Sequence, residues 1–145
     1  MTSIPQTKTP DESYYLTDLI GKKVTLNSKK IGKISDLIAR ENGSIPAVTD
    51  IIVGRPFGEP SLVIPWENVI QFSNDGFTVN IENIEKYAIE PRQKALLLKD
   101  YIIDKKVLDV LNREVEMVYD IKLVKKKNKL YVSAVHAETA RIIVW

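Results

Sequence analysis

Cysteine is absent from the 145 residues, which excludes disulfides, thiolate-bound zinc and cysteine nucleophiles together. Histidine occurs once, at His136, and one imidazole without cysteine makes no zinc site of the usual kind. No stretch approaches the roughly 18 consecutive apolar residues of a membrane-spanning helix. The opening MTSIPQTKTPDESYY is polar and contains proline, unlike a secretory signal, so the chain is expected in the cytoplasm, reaching the inner face of a membrane only through a larger protein. The glycines at 21, 32, 43, 54, 58 and 76 are scattered, with no GxGxxG or GxxxxGK grouping, which disfavours nucleotide binding. Charge of either sign is in small excess at most: 21 Lys and Arg stand against 19 Asp and Glu, for a net +2. That balance exerts little pull toward nucleic acid or anionic membrane.

What the chain does contain is an internal repeat. "YYLTDLIGKKVTL" (Tyr14 to Leu26) matches "LLLKDYIIDKKVLD", which ends at Asp109, so that Lys22, Lys23 and Val24 fall on Lys105, Lys106 and Val107. "KIGKISDLI" (Lys30 to Ile38) matches "REVEMVYDIKL" (Arg113 to Leu123), placing Ile31, Ile34 and Asp36 on Val115, Val118 and Asp120. "AVTDIIVG" (Ala47 to Gly54) corresponds to "LYVSAVHA" (Leu130 to Ala137), and "SLVIPW" (Ser61 to Trp66) to "ARIIVW" (Ala140 to Trp145). The order of the four blocks is preserved.

Each block reads as a strand. Val24 and Leu26 alternate with polar residues, and the β-branched runs Ile51–Val53 and Ile142–Val144 suit buried strands. Turn residues separate the blocks at Asn27-Ser28-Lys29, Glu41 to Ser44, Arg55 to Pro60 and Lys125 to Lys129. Val69–Ser73 and Phe77–Ile81 add two strands around an Asn74-Asp75-Gly76 hairpin turn. Between the repeats, "ENIEKYAIEPRQK" carries Ile84, Tyr87 and Ala88 at helical spacing and is closed by Pro91, which predicts a short connecting helix. Thr17 and Asp18, with Asp100 in the matching place, are placed to cap single helical turns. The chain is expected to be mainly β, with many short strands closing into small barrels.

These residues resemble the PRC-barrel family in the "LIGKKV" opening, the "KIGKISDL" second strand, the apolar third strand and the closing "LVIPWENV". The first copy, Leu16 to Phe72, fits closely. The second departs from the pattern, with Asp104 and Glu116 where the first has Gly21 and Gly32. The resemblance implies two small, strongly bent PRC-type β-barrels in tandem with short connecting helices. The implied division is a disordered tail at 1–13, a barrel at 14–81, a helical connector at 82–94 and a second barrel at 95–145. That family includes the H subunit of photosynthetic reaction centres and the RimM ribosome-maturation factors, and its domains usually serve as interaction modules. Two copies in this arrangement are similar to the N-terminal region of MgtE-like magnesium transporter proteins. No magnesium-binding residue carries over to this chain from that likeness.

Candidate sites are few. Alternation puts His136 on the strand face of Leu130, Val132 and Ala134, the setting of an ordinary structural histidine. Carboxylates come singly at strand ends, at Asp36, Asp50, Glu67, Asp104, Asp109 and Asp120. Asp36 and Asp120 hold equivalent positions in the repeat, which points to a shared structural task such as bonding the backbone N–H groups of a turn. Neither a catalytic group, a metal nor a cofactor is expected. The basic run "VKKKNKLY" (Val124 to Tyr131) reads as a solvated hairpin turn, since single-stranded RNA binding wants interleaved aromatic platforms. Trp66 and Trp145 are the large anchors. Trp66 follows the strand-ending Pro65 and is expected to pack its own barrel, while for Trp145 packing and partner contact both stand open.

The function expected is therefore a non-enzymatic interaction or regulatory module, the N-terminal part of a larger MgtE-like protein. Its partner would be another protein, further domains of its own chain or a second copy. An RNA- or ribosome-associated adaptor like the RimM factors, or a magnesium-sensing domain, is the alternative. "SLVIPW" leads on into Glu67–Phe72, whereas "ARIIVW" leads nowhere, so the sequence is expected to be a fragment cut near the end of its second barrel.

Overall fold

The computed structural model describes residues 12–41, 45–109 and 114–139. The first half holds β1 (Glu12–Tyr15), α1 (Leu16–Leu19), β2 (Lys23–Leu26), β3 (Lys29–Arg40), β4 (Ala47–Gly54), β5 (Leu62–Pro65), β6 (Val69–Ser73) and β7 (Gly76–Val79). The second holds β8 (Leu96–Leu97), α2 (Leu98–Ile102), β9 (Lys106–Asp109), β10 (Glu114–Lys126) and β11 (Lys129–Thr139). The described strands form one sheet of eleven, running β1-β10-β11-β4-β3-β2-β7-β6, with β5 on β4, β8 on β3 and β9 on β10. It is mainly antiparallel and curls into a half-barrel; β2 and β7 pair in parallel.

Local chemistry explains the turns. Asn27 and Ser28 both take left-handed backbone angles, φ 51° and 66°, and close the β2–β3 hairpin with Leu26 opposite Lys29. Gly21 has φ 87° where the chain leaves α1, and Asp104, at the matching place after α2, has φ 63°. Aspartate is among the few side-chain-bearing residues that tolerate this region, so the departure from glycine keeps the bend.

The correspondence between the halves continues into the backbone hydrogen bonds. Gly21 N donates to Ile34 O at 2.7 Å and Ile34 N to Lys22 O at 2.8 Å. In the second half Asp104 N donates to Val118 O at 2.8 Å and Val118 N to Lys105 O at 3.1 Å. Each long strand also slips register at the same point: Ser35 is passed over between Ile34 and Asp36, and Tyr119 between Val118 and Asp120. These bulges explain the burial of Ile34 with Leu37 and of Val118 with Ile121, three apart where an unbroken strand would bury every second residue.

One apolar core joins the halves. Leu16, Leu19, Ile34, Leu37, Ile51, Ile64 and Phe77 pack in a single cluster with Leu98, Ile121, Leu123 and Leu130. A smaller cluster of Ile38, Ile52 and Val63 packs with Ala95 and Leu97.

Two expectations change and one is met in reduced form. Glu12 and Ser13, assigned to the tail, belong to β1 and pair with Lys125 and Val124. The connector holds one 3-10 turn, Ile84–Tyr87, started by Asn83 Oδ1 accepting from Glu85 N at 3.1 Å, and no longer helix. Beyond Tyr87 the β-branched Ile89 and Pro91 give no support to further helical turns. The caps at Thr17, Asp18 and Asp100 do not form, because neither α1 nor α2 has a side-chain cap from its own N-terminal residue.

Candidate functional site: the crossed aspartates and the aromatic seam

A helix of four or five residues leaves all its N-terminal N–H groups without intrahelical partners and is too short to persist alone. Here the missing acceptors come from the opposite half. Asp36, on β3, accepts from Lys99 N at 2.8 Å and Asp100 N at 3.1 Å in α2, and from Leu37 N at 2.7 Å beside it. Asp120, on β10, accepts from Thr17 N at 3.2 Å and from Thr17 Oγ1 at 2.6 Å in α1, and from Ile121 N at 2.8 Å. The strands cross in the same sense, β1 pairing with β10 and β8 with β3. Each half thus lends its leading strand and helical turn to the other.

The bulges place these carboxylates. By passing over Ser35 and Tyr119, the strands turn the next residue out of the core-facing row and toward the neighbouring helical turn. Asp36 is the one buried charged residue among those described, at 6% exposure. Burial pushes its carboxyl above the usual carboxylate range and Asp100 nearby adds to this, against the three N–H groups that favour the charged form. Asp120 is half-buried.

A second contact between the halves runs along an aromatic seam. Trp66 begins a 3-10 turn, Trp66–Asn68, and is half-buried. Its indole packs edge-on against Phe72 at 5.2 Å and Phe77 at 6.5 Å, and its Nε1 donates to Asn128 O at 2.8 Å. Phe72 stacks on Phe77 at 5.4 Å, meets Tyr14 at 5.0 Å and lies under the Lys125 ammonium at 5.2 Å. The basic turn is therefore partly spoken for: Lys125 sits over an aromatic face and Asn128 holds the tryptophan. Tyr14 donates to the Glu12 carboxylate, and burial together with that carboxylate pushes its hydroxyl up to about 12. Trp145 lies outside the described residues.

His136 is not on the face that alternation assigned. β10 and β11 match Leu123 to Val132 and then Lys122 to Ala134, passing over Ser133, so the face containing Leu130 and Val132 does not extend to His136. It stands opposite Asp120, edge-on to Tyr15 at 5.4 Å and Tyr119 at 6.1 Å.

Residues 11–84 match the PRC-barrel domain family, just over half of the sequence. The chain belongs to the PRC-barrel family. No curated protein matches it. The PRC match ends at the 3-10 connector, and the crossed aspartates link the matched region to the second half of the chain.

Chemically, both oxygens of Asp36 and Asp120 are engaged by N–H or O–H donors, which suits them to hold backbone rather than to move protons. Among the described residues no three His, Asp or Glu side chains converge as a metal site. No described helix is long and apolar enough to cross a membrane. The crossing itself escaped sequence reasoning, because the equivalence of Asp36 and Asp120 reveals a shared task but not which half receives it. Arg55 was also missed: its side chain is only 7% exposed, and its guanidinium reaches Glu85 in the connector at 3.0 Å.

Proposed function

We propose that this protein is a non-enzymatic interaction or regulatory module made of two PRC-type copies, the N-terminal part of a larger MgtE-like protein. It docks onto a protein partner or onto further domains of the same polypeptide. The observation that carries this reading is the crossed pair, Asp36 on α2 and Asp120 on α1. A polypeptide that commits its two equivalent carboxylates to joining its halves is built as a rigid body, and a rigid body that loses little entropy on binding suits docking.

The test lies in the reading frame beyond Trp145. A helical MgtE-type or CBS region encoded there, expressed separately, is expected to bind this chain in calorimetry. Absence of such a region, or no heat of binding to it, removes the MgtE part of the proposal. Millimolar magnesium is expected to leave the melting temperature of the chain alone unchanged; a rise would move the assignment to magnesium sensing, since a ligand that binds only the folded state raises it.

A further inference from the structure

The loop between β4 and β5 presents an aromatic ring under unusual terms. Glu59 N donates to Pro56 O at 3.3 Å, closing a tight turn whose central residues, Phe57 and Gly58, have φ 60° and 71°. Glycine adopts this region freely, but phenylalanine does so at a conformational cost. Nothing in the fold offsets that cost, because Phe57 is 98% exposed. The loop is nevertheless braced. Arg55 Nε donates to Pro60 O at 2.7 Å, and its Nη1 lies 3.0 Å from Glu85 and 3.5 Å from Glu59. Strained backbone, a bare ring and a rigid mount together describe an anchor prepared for a pocket elsewhere.

The charge around the ring narrows the pocket. Arg55 is shared between Glu59 and Glu85, and Glu59 remains 57% exposed beside the ring. An anionic membrane or nucleic acid would be repelled; an apolar hollow with a cation at its rim would fit. One hollow on this same chain carries that cation. It is open, about 570 Å³ in volume, walled by Ile45, Pro46, Val124, Tyr131 and Val132, with Lys126, Ser13 and Ser133 making much of the lining polar. Ile45 is itself 52% exposed.

We propose that two copies of the chain associate, the Phe57 ring of each seated in the Ile45–Pro46–Tyr131 hollow of the other and Glu59 facing Lys126. Every copy carries both halves of this contact, so one rotation that seats both rings closes a two-fold pair, and any other arrangement runs head to tail. The proposal is independent of the MgtE context and fails or stands separately from it.

Analytical ultracentrifugation of the whole chain across micromolar concentrations tests it. The wild type is expected to dimerise with concentration, and Phe57→Ala to weaken the dimer by at least about tenfold, as loss of an aromatic anchor does. Glu59→Lys and Lys126→Glu should each weaken it, and the double variant should recover most of the loss. Phe57 is 98% exposed in the monomer, so its removal leaves folding intact, which a melting curve verifies. A wild type that stays monomeric, or a Phe57→Ala dimer as strong as the parent, overturns the proposal. A photoreactive p-benzoylphenylalanine at position 57 should crosslink to the 124–132 hairpin of a second chain. A crosslink in cells to a different protein alone would also overturn it, assigning the ring to a foreign partner.

Discussion

Asp36 Oδ1 lies 2.8 Å from the backbone nitrogen of Lys99, 63 positions away in the chain. Its counterpart Asp120 closes a contact of the same kind on Thr17, 103 positions away. Contacts that far apart tie the stability of one half to that of the other.

Replacing either aspartate by alanine orphans N–H groups at the start of a short helical turn. Asp36→Ala should cost about 2–3 kcal/mol and Asp120→Ala about 1–2 kcal/mol, the loss being larger at the buried site. Urea unfolding gives both numbers. If the halves act as one unit, each variant shifts a single transition, and a separate early transition in either would refute that coupling.

The pH dependence at Asp36 has a definite sign. Its folded pKa is raised above the 3.8 of an exposed aspartate, so the folded state binds the proton more tightly than the unfolded chain does. The contribution to stability is then complete below pH 3.8 and is lost as pH rises through the raised folded value. Asp36→Asn lacks this titration. The stability of the wild type relative to Asp36→Asn should therefore increase as pH is lowered toward 3.8, and a difference that is flat or falls would contradict the sign.

Gly32 faces a steric test. A Cβ there would collide with the carbonyl oxygen of Gly54 and come within 2.6 Å of Val53 Cγ1. Gly32→Ala should cost about 1–3 kcal/mol, since the obstacle is partly backbone and cannot swing aside. Thermal melting against the parent is sufficient to decide it.

Trp66→Phe keeps a ring on Phe72 and Phe77 but deletes the donor to Asn128 O. The expected loss is about 1 kcal/mol. Amide hydrogen exchange should speed up at the Lys127–Asn128 turn more than at the β2–β3 turn; equal change at both would deny the tryptophan its role in holding that hairpin.

Much of the local architecture was legible in the residues. Asn27-Ser28 marked a hairpin, Val24 and Leu26 a half-buried strand, and the match of Ile34 and Asp36 to Val118 and Asp120 put the two aspartates in equivalent places; alternation set them at strand ends, whereas they lie inside β3 and β10. These features depend on neighbours in sequence, through backbone preference and alternation. The bulge was written in the three-residue step from Ile34 to Leu37, and in that from Val118 to Ile121, but strict alternation obscured it; a separate slip at Ser133 misplaced His136.

By itself the sequence determined most of the described strands and turns and set Asp36 and Asp120 in matching places, because hydrophobic period and turn chemistry act over a few residues. Only the tertiary structure decided that each aspartate serves the opposite half, that Trp66 reaches Asn128, and that Phe57 is left bare on a braced loop. Those outcomes turn on which surfaces meet across 60 residues or more, and a carboxylate accepts N–H donors from either half on equal chemical terms until the register of the sheet brings one within reach.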